Sequence, residues 1–246
     1  MKIERALRST NPFALWRWES LLENSSDIGA GFIRTLQVAV LALLLALVIG
    51  VVVGTMSTAK GRLPRAVARI YVEMFQNIPL VIQIFFMYNG LAMAGLVLSE
   101  FTIGVVGVGM YHGAYIAEVV RAGILAVPKG QEEAAYSEGF NYIQTMRYVI
   151  LPQMVKIILP PLTNQAVNLI KNTSVLAIIA GADLMYVADS YASYSLNYGP
   201  AYAVAGLLYF LLCFPLATFA RKYEQKLKDN DSVVVNLGVD IPEVME

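Results

Sequence analysis

The sequence predicts an all-α membrane protein with five transmembrane helices, on three observations. Of 246 residues, 57% are hydrophobic and only 15% charged, whereas a soluble domain averages about 45–50% apolar and about 25% charged. Five runs are long enough to cross a bilayer, which takes about 20 mainly apolar residues. The connections between them are rich in Lys and Arg on one side and free of both on the other, the imbalance that orients a membrane chain. The formal net charge is zero, which argues against a nucleic-acid partner and leaves function to local charge placement. The single cysteine, Cys213, lies inside an apolar run. It excludes an intrachain disulfide or a cysteine metal site and predicts a buried, inert thiol.

Residues 1–30 form an amino-terminal periplasmic or interfacial segment in this reading. Basic Lys2, Arg5, Arg8 and Arg17 are mixed with acidic Glu4, Glu19, Glu23 and Asp27. The apolar run that follows is too long for a signal-peptide core and lacks an A-x-A-like end, so it reads as a retained anchor. Trp16 and Trp18, beside Phe13 and Leu15, suit a short helix at the membrane interface; a flexible tail is the equal alternative.

The transmembrane domain is expected over 31–222. Span one, Thr35–Met56, is interrupted only by Gln37 and carries Gly50-x-x-x-Gly54, a spacing that permits close helix approach. Span two, Tyr71–Val97, contains Pro79, which lacks an N–H and clashes with the carbonyl four residues back. A kink or break is therefore predicted near Asn77. The freed backbone groups must face protein or a wet cavity, and a plain structural kink satisfies this equally well.

Span three, Phe101–Val127, places Tyr111, Tyr115 and Glu118 on one helical face, with Glu118 able to pair with Arg121 at i, i+3. A buried structural ion pair and a functional one are both open. His112 is the only histidine; it is expected to be a polar packing residue, and no metal site is predicted. Span four, Ile157–Leu184, is the most polar. Asn164, Asn168 and Lys171 recur at i, i+4, i+7, with Asn172 and Ser174 beside them. Leaving that stripe in hydrocarbon costs several kcal/mol, about 2.5–3.5 for a central lysine alone. A path for polar solute is favoured over helix–helix contact. Pro160-Pro161 is expected to open the span and disrupt its first turn. Span five is Tyr202–Ala220, followed by an acidic, aperiodic tail over 223–246.

The connections give the orientation. Lys60, Arg62, Arg65 and Arg69 follow span one; Lys129, Arg147 and Lys156 follow span three; Arg221, Lys222, Lys226 and Lys228 follow span five. Leu98–Glu100 and Ala182–Ala201 hold no Lys or Arg. The first group is thus expected in the cytoplasm, with the amino terminus outside and the carboxyl terminus inside.

The longest polar stretch between apolar spans, within 128–152, predicts two short helices. Gln131–Glu138 carries acids where the helix dipole favours them and strong helix formers after them. Gly139 fits the left-handed residue that ends such a helix, and Tyr142–Ile150 then runs to Pro152. The small Ala134-Ala135 pair with Tyr136 and Phe140 suits contact with a groove on another protein, a solvated loop being the alternative.

Glu133-Ala134-Ala135-x3-Gly139-x9-Val149-x-Leu151-Pro152 resembles the EAA loop of ABC-importer permeases, E-A-A-x3-G-x9-I-x-L-P, with Val149 where isoleucine is usual. GAYIAEVVRAGILAVPKGQ, VEMFQNIPLVIQIFF and LPPLTNQAVNLIKNTS resemble the polar amino-acid branch, relatives of histidine, glutamine and glutamate/aspartate permeases. The resemblance covers about Thr35–Lys222. It implies the type I ABC importer permease fold in a bacterial inner membrane. It also implies a second permease subunit, same or homologous, and ABC ATPase subunits on the cytoplasmic EAA loops. An external amino-acid-binding protein completes the implied partners. ATP and Mg would be bound by the partners, with no cofactor and no catalytic residue in this chain. Glu133, Ala134, Ala135, Gly139, Leu151 and Pro152 would serve coupling, and Asn77 and Pro79 would break a helix. Tyr111, Glu118, Arg121, Asn164, Asn168, Lys171, Asn172 and Ser174 would line the solute path. Glutamine or glutamate/aspartate is the expected solute. An ATP-independent secondary carrier or channel is the competing reading; five spans without a visible repeat weigh against it.

Overall fold

The computed structural model describes residues 11–236, with side chains to residue 226. Among these residues the chain is helical and has no strand: α1 Leu15–Glu23, α2 Ser25–Thr58, α3 Arg62–Asn77 and α4 Leu80–Met93 come first. Then follow α5 Glu100–Ala126, α6 Lys129–Ser137, α7 Tyr142–Ile179, α8 Leu184–Ser195 and α9 Tyr198–Asn236. Helices α2, α5 and α9 are each long and apolar enough to cross a membrane. Two bent pairs, α3 with α4 at 99° and α7 with α8 at 46°, bring the number of crossings to five if each pair is one span. Spans two and four are thus broken rather than continuous.

The centre is the packing of α2 on α5. On α2 the buried positions Val38, Ala42, Ala46, Gly50 and Gly54 repeat at four-residue spacing, so one narrow face is built from small side chains. That face meets Ile116, Ala117 and Val120 of α5: a Cβ on Gly54 would lie 2.7 Å from the Ala117 carbonyl oxygen, and one on Gly50 would overlap Ile116. The glycine spacing in span one is therefore where two backbones come together. Ile150, Met154, Ile158 and Leu169 of α7 complete this core, while the opposite face of α2 leaves Val40, Leu44, Val48 and Val52 exposed.

The break in span two falls where proline dictates. α3 ends at Asn77, and Pro79, extended with ψ 135°, precedes α4. The sequence explains the cut but not its repair. Gln83 Nε2 donates to the Phe75 carbonyl at 3.0 Å and to the Ile78 carbonyl at 2.9 Å, and Asn77 Nδ2 donates to the Glu73 carbonyl at 2.7 Å. Side-chain amides thus take acceptors that a continuous helix would have used. α3 also starts nine residues before the expected span, at Arg62 rather than Tyr71.

Span four departs further from expectation. The second short helix of the polar stretch does not stop at Pro152, and the span does not open at Pro160-Pro161; α7 runs from Tyr142 through all three prolines. A wide π-type turn, Met146–Ile150, precedes Pro152. It opens the spiral just where a proline without an N–H would otherwise meet a carbonyl one turn back. Gln153 Nε2 donates to the Val149 carbonyl on that turn at 3.0 Å, and Thr163 Oγ1 donates to the Leu159 carbonyl beside the proline pair at 2.9 Å. Beyond Asn172 the helix tightens to 3₁₀ geometry over Thr173–Ile179. Left-handed Ala180 and Ala182 then turn the chain, so the span does not reach Leu184 as one helix. The Leu184 N–H donates to Thr35 Oγ1 of α2 at 3.0 Å in a buried contact.

At the amino end, α1 is a helix and not a loose tail. Arg17 Nη1 donates to the Leu196 carbonyl at 2.8 Å and to Asn197 Oδ1 at 2.7 Å, tying α1 to the α8–α9 turn. Leu21, Ile28, Leu184, Ala188 and Ala205 form a second core there. α2 begins at Ser25, so the expected boundary at residue 30 falls inside a helix. α9 likewise continues past Ala220 to Asn236, making the start of the expected tail helical; residues 1–10 and 237–246 lie outside the described residues. Cys213 is half-buried, not buried, with Sγ 4.0 Å from the Val167 carbonyl oxygen.

Candidate functional site

Two regions gather the residues singled out in the sequence: a polar cavity between α5 and α7, and an exposed face around α6.

The cavity, about 450 Å³, is walled by Tyr111, His112 and Tyr115 of α5 and by Gln165, Asn168, Lys171 and Asn172 of α7. Its volume is within the range of about 300–1,000 Å³ typical of small-molecule sites. Helical periodicity on two antiparallel neighbours builds it: Tyr111 and Tyr115 lie one turn apart, and so do Asn168 and Asn172. The tyrosine hydroxyls are 3.1 Å apart. His112, 2% exposed, lies between two amides, with Nδ1 3.3 Å from Gln165 Oε1 and Nε2 3.0 Å from Asn172 Nδ2. The Asn172 amide donates to Nε2, so the ring is neutral with its proton on Nδ1, donated to Gln165. Lys171 is exposed to the cavity and forms no ion pair among the described residues. The wall therefore offers amides, phenols and one free ammonium, and no carboxylate.

The structure divides the predicted path residues. Glu118 and Arg121 border a different cavity of about 520 Å³, with Ser57, Arg65, Arg69, Glu73 and Gln76. Glu118 lies one turn past Tyr115, and that turn carries it into the space beside α3. Arg121 Nη2 is 2.8 Å from Glu118 Oε2, with side chains 39% and 37% exposed. The pair is a solvated wall element rather than a buried bridge, and such pairs add only about 0–1 kcal/mol. Ser174 joins Lys171 in the wall of a third hollow of about 320 Å³, shared with Tyr202 and Tyr209 of α9. Asn164 is exposed and borders none of these. Gln165 counts among the polar residues of span four in the sequence but falls outside its predicted stripe, and His112 is expected there only to pack; in the structure His112 both packs and organises the cavity wall with Gln165. A larger hollow of about 530 Å³, between α2 and α8, holds Asp27, Arg34 and Tyr191 and no predicted site residue.

The α6 face is built by its turn chemistry. Gly139 is left-handed, φ +82°. The Phe140 N–H donates to the Ala135 carbonyl and the Gly139 N–H to the Tyr136 carbonyl, both at 3.0 Å, the paired bonds of a Schellman termination. Asn141 and Gln144 then cap α7 reciprocally. Glu133 and Ala134 are exposed and Ala135 is buried, so the small pair presents one side chain to each side. Exposed Tyr136, Phe140, Ile143 and Tyr148 surround them. Lys60 Nζ lies 5.6 Å from the Tyr136 ring and 5.8 Å from the Tyr142 ring, joining this face to the end of α2. Tyr136 Oη donates to Glu132 Oε1 at 2.9 Å, a bond that holds its phenol above the ordinary range. Gln153 Nε2 donates to Gln131 Oε1 at 3.2 Å, clamping α6 to α7. Leu151 and Pro152 are exposed on α7 nearby.

The family model described as binding-protein-dependent transport system inner membrane component matches residues 46–229. The chain is 43% identical over 208 residues to the probable glutamine ABC transporter permease protein GlnM of Bacillus subtilis, covering 85% of this chain and 96% of that one. It is 33% identical to the arginine transport system permease protein ArtQ of the same organism, covering 82% and 92%. It is 34% identical to the glutamine transport system permease protein GlnP of Escherichia coli, covering 79% and 90%. Among solved structures, an amino acid ABC transporter with histidines superposes with TM-score 0.78 and 32% identity, over 85% of this chain and 98% of that one. The MetNI methionine ABC transporter in an inward-facing form, TM-score 0.63 at 19% identity over 78% and 94%, shares the fold.

Proposed function

The chain belongs to the family of binding-protein-dependent transport system inner membrane components, and from that premise we propose how it works and what it carries. It is the non-catalytic, pore-forming permease subunit of an ABC importer, a multi-pass protein of the inner membrane. ATP hydrolysis belongs to partner ATPases. The solute we propose is a polar amino acid, glutamine first, in keeping with the solutes named for its relatives. The amino terminus lies outside and the α6 face in the cytoplasm, following the placement of Lys60, Arg62, Arg65, Lys129 and Arg147.

The observation that carries the reading is the single helix α7, which starts beside the α6 face at Tyr142 and bears Asn168, Lys171 and Asn172 in the cavity wall. ATPase subunits dock on Glu133, Ala134 and the exposed aromatic patch. Their closure moves α6, and the Gln131–Gln153 clamp passes that motion to α7. The cavity wall then shifts against α5, which alternates the access of the cavity. Lys171 meets the solute carboxylate as a charge-assisted donor, and the amides meet its polar side chain. Glu118 and Arg121 line the inner exit, and a second permease subunit, same or homologous, completes the pore. ATP and Mg are held by the partners. An external amino-acid-binding protein delivers the solute.

The test is reconstitution of the permease with its ATPase and binding protein in vesicles. ATP-dependent glutamine uptake is the expected result. A permease that purifies with no ATPase bound, or that takes up solute alone under a proton or sodium gradient, would sink the proposal.

A further inference from the structure

α3 has three distinct faces. Ala68 and Val72 are buried against the α2–α5 core. Leu63, Val67, Ile70 and Met74, at i, i+4, i+7, i+11, are 76%, 48%, 66% and 49% exposed. Arg62, Arg65 and Arg69, at i, i+3, i+7, form a basic row beside them and together line a surface hollow of about 360 Å³. Arg65 and Arg69 also reach the cavity of Glu118.

The basic row is placed against the electrostatics of its own helix. The first turn of a helix presents unpaired N–H groups and a positive dipole end, which favour acids and disfavour cations. α3 has no acid in its first turn and no side-chain cap on it, and Arg62 and Arg65 stand there instead. The sole acid of α3, Glu73, is already paired with Arg69 at 2.8 Å. Arg65 donates its Nε to the Gly61 carbonyl at 3.3 Å, and Arg62 has no partner among the described residues. The free Arg62 guanidinium, the remaining N–H groups of Arg65 and the positive end of the helix dipole lie at one surface hollow, where an external anion satisfies them together. The exposed apolar row alongside specifies which anion, because a free phosphate would leave it uncovered. A second copy docked symmetrically on this face would bring a second arginine row to the first.

We propose that the amino-terminal half of α3 is a binding surface for anionic phospholipid, its headgroup phosphate held by Arg62, Arg65 and Arg69 and its acyl chains covering Leu63, Val67, Ile70 and Met74. α3 starts four residues after α2 ends, so the hollow sits where a membrane helix gives way to headgroups. A basic, amphipathic helix at that position is the pattern of an anionic-lipid contact.

The experiment uses the permease–ATPase complex in nanodiscs of equal phosphatidylglycerol and phosphatidylcholine. The lipid that stays bound after transfer to detergent is counted by mass spectrometry. The wild-type complex should retain phosphatidylglycerol in excess, and 0.5 M salt during transfer should reduce the excess, since the attraction is screened. Arg62→Gln with Arg65→Gln should cut the excess roughly twenty-five-fold, about fivefold per charge. Should the double variant fail to assemble, Arg62→Gln alone is read for its fivefold. An unchanged ratio in either variant overturns the proposal. So does full displacement of the lipid by inorganic phosphate, which would mean a free-anion site. High-yield disulfide formation between two Val67→Cys subunits with no phosphatidylglycerol excess would mean that a second copy covers the face, and would overturn it as well.

Discussion

Asn172 Nδ2 donates to His112 Nε2 at 3.0 Å, joining α5 to α7 across 60 residues of sequence. With Gln165 on Nδ1, the imidazole has both nitrogens satisfied and none to spare. Replacing it with an apolar residue orphans two amides at once.

His112→Leu should therefore destabilise the permease, by about 1–3 kcal/mol for each amide group left unpaired away from water. Thermal unfolding of the purified complex in detergent measures it. His112→Gln, which restores one donor and one acceptor, should recover part of the loss. A leucine variant as stable as wild type would show that the two amides find water instead.

Lys171→Ala should weaken solute recognition. A hydrogen bond to a charged group is worth about 1.5–3 kcal/mol, so glutamine uptake by the reconstituted system should need roughly ten- to hundredfold more solute. Assembly should survive, because Lys171 makes no ion pair among the described residues. Wild-type uptake kinetics in this variant would remove the lysine from the solute path.

Gly139→Val isolates a backbone effect. Nothing lies within 4 Å of a Cβ built there, so the first side-chain carbon meets open space. The left-handed conformation alone costs a side-chain-bearing residue roughly 1–2 kcal/mol. The Schellman end of α6 should loosen, lowering solute-stimulated ATP hydrolysis more than overall thermal stability. Gly139→Asn should be milder, since asparagine tolerates this conformation. Equal hydrolysis in the valine variant and wild type would separate α6 geometry from coupling.

Gln83→Leu removes the repair of the α3–α4 break. Two carbonyls, of Phe75 and Ile78, lose their donor. At membrane depth such acceptors have no water to turn to. A loss of about 1–3 kcal/mol is expected, read as faster proteolysis or earlier melting. Gln83→Glu, which keeps the length but not the donors, should be no better than leucine.

Legibility followed the range of the interactions involved. Pro79 and Gly139 act on their own backbone, so the break and the α6 end could be read from single residues. The Gly50-Gly54 spacing likewise marks a close approach without naming the partner, which turned out to be Ala117 and Val120. The course of α7 was hidden because proline usually ends a helix, and only the wide turn at Met146–Ile150 lets Pro152 stay inside one. Periodicity put Tyr111, Tyr115 and Glu118 on one face of α5, yet neighbours differ along that face: α7 stands beside Tyr111, and α3 beside Glu118. The same ambiguity left Asn164 in the stripe although it is exposed outside the cavity. Gln83 and Gln165 stand out only as polar residues within apolar spans, and their partners were not legible, since an amide that caps another helix turn or a histidine looks like any polar residue in the sequence.

The continuity of α7 has a thermodynamic corollary. One helix forms part of both the α6 face proposed for ATPase docking and the cavity wall, so on that proposal solute occupancy and ATPase engagement are ligands of a single conformational equilibrium. Their influence must then be mutual: the factor by which ATPase closure changes the affinity of the cavity for solute is the factor by which bound solute changes the affinity for closure.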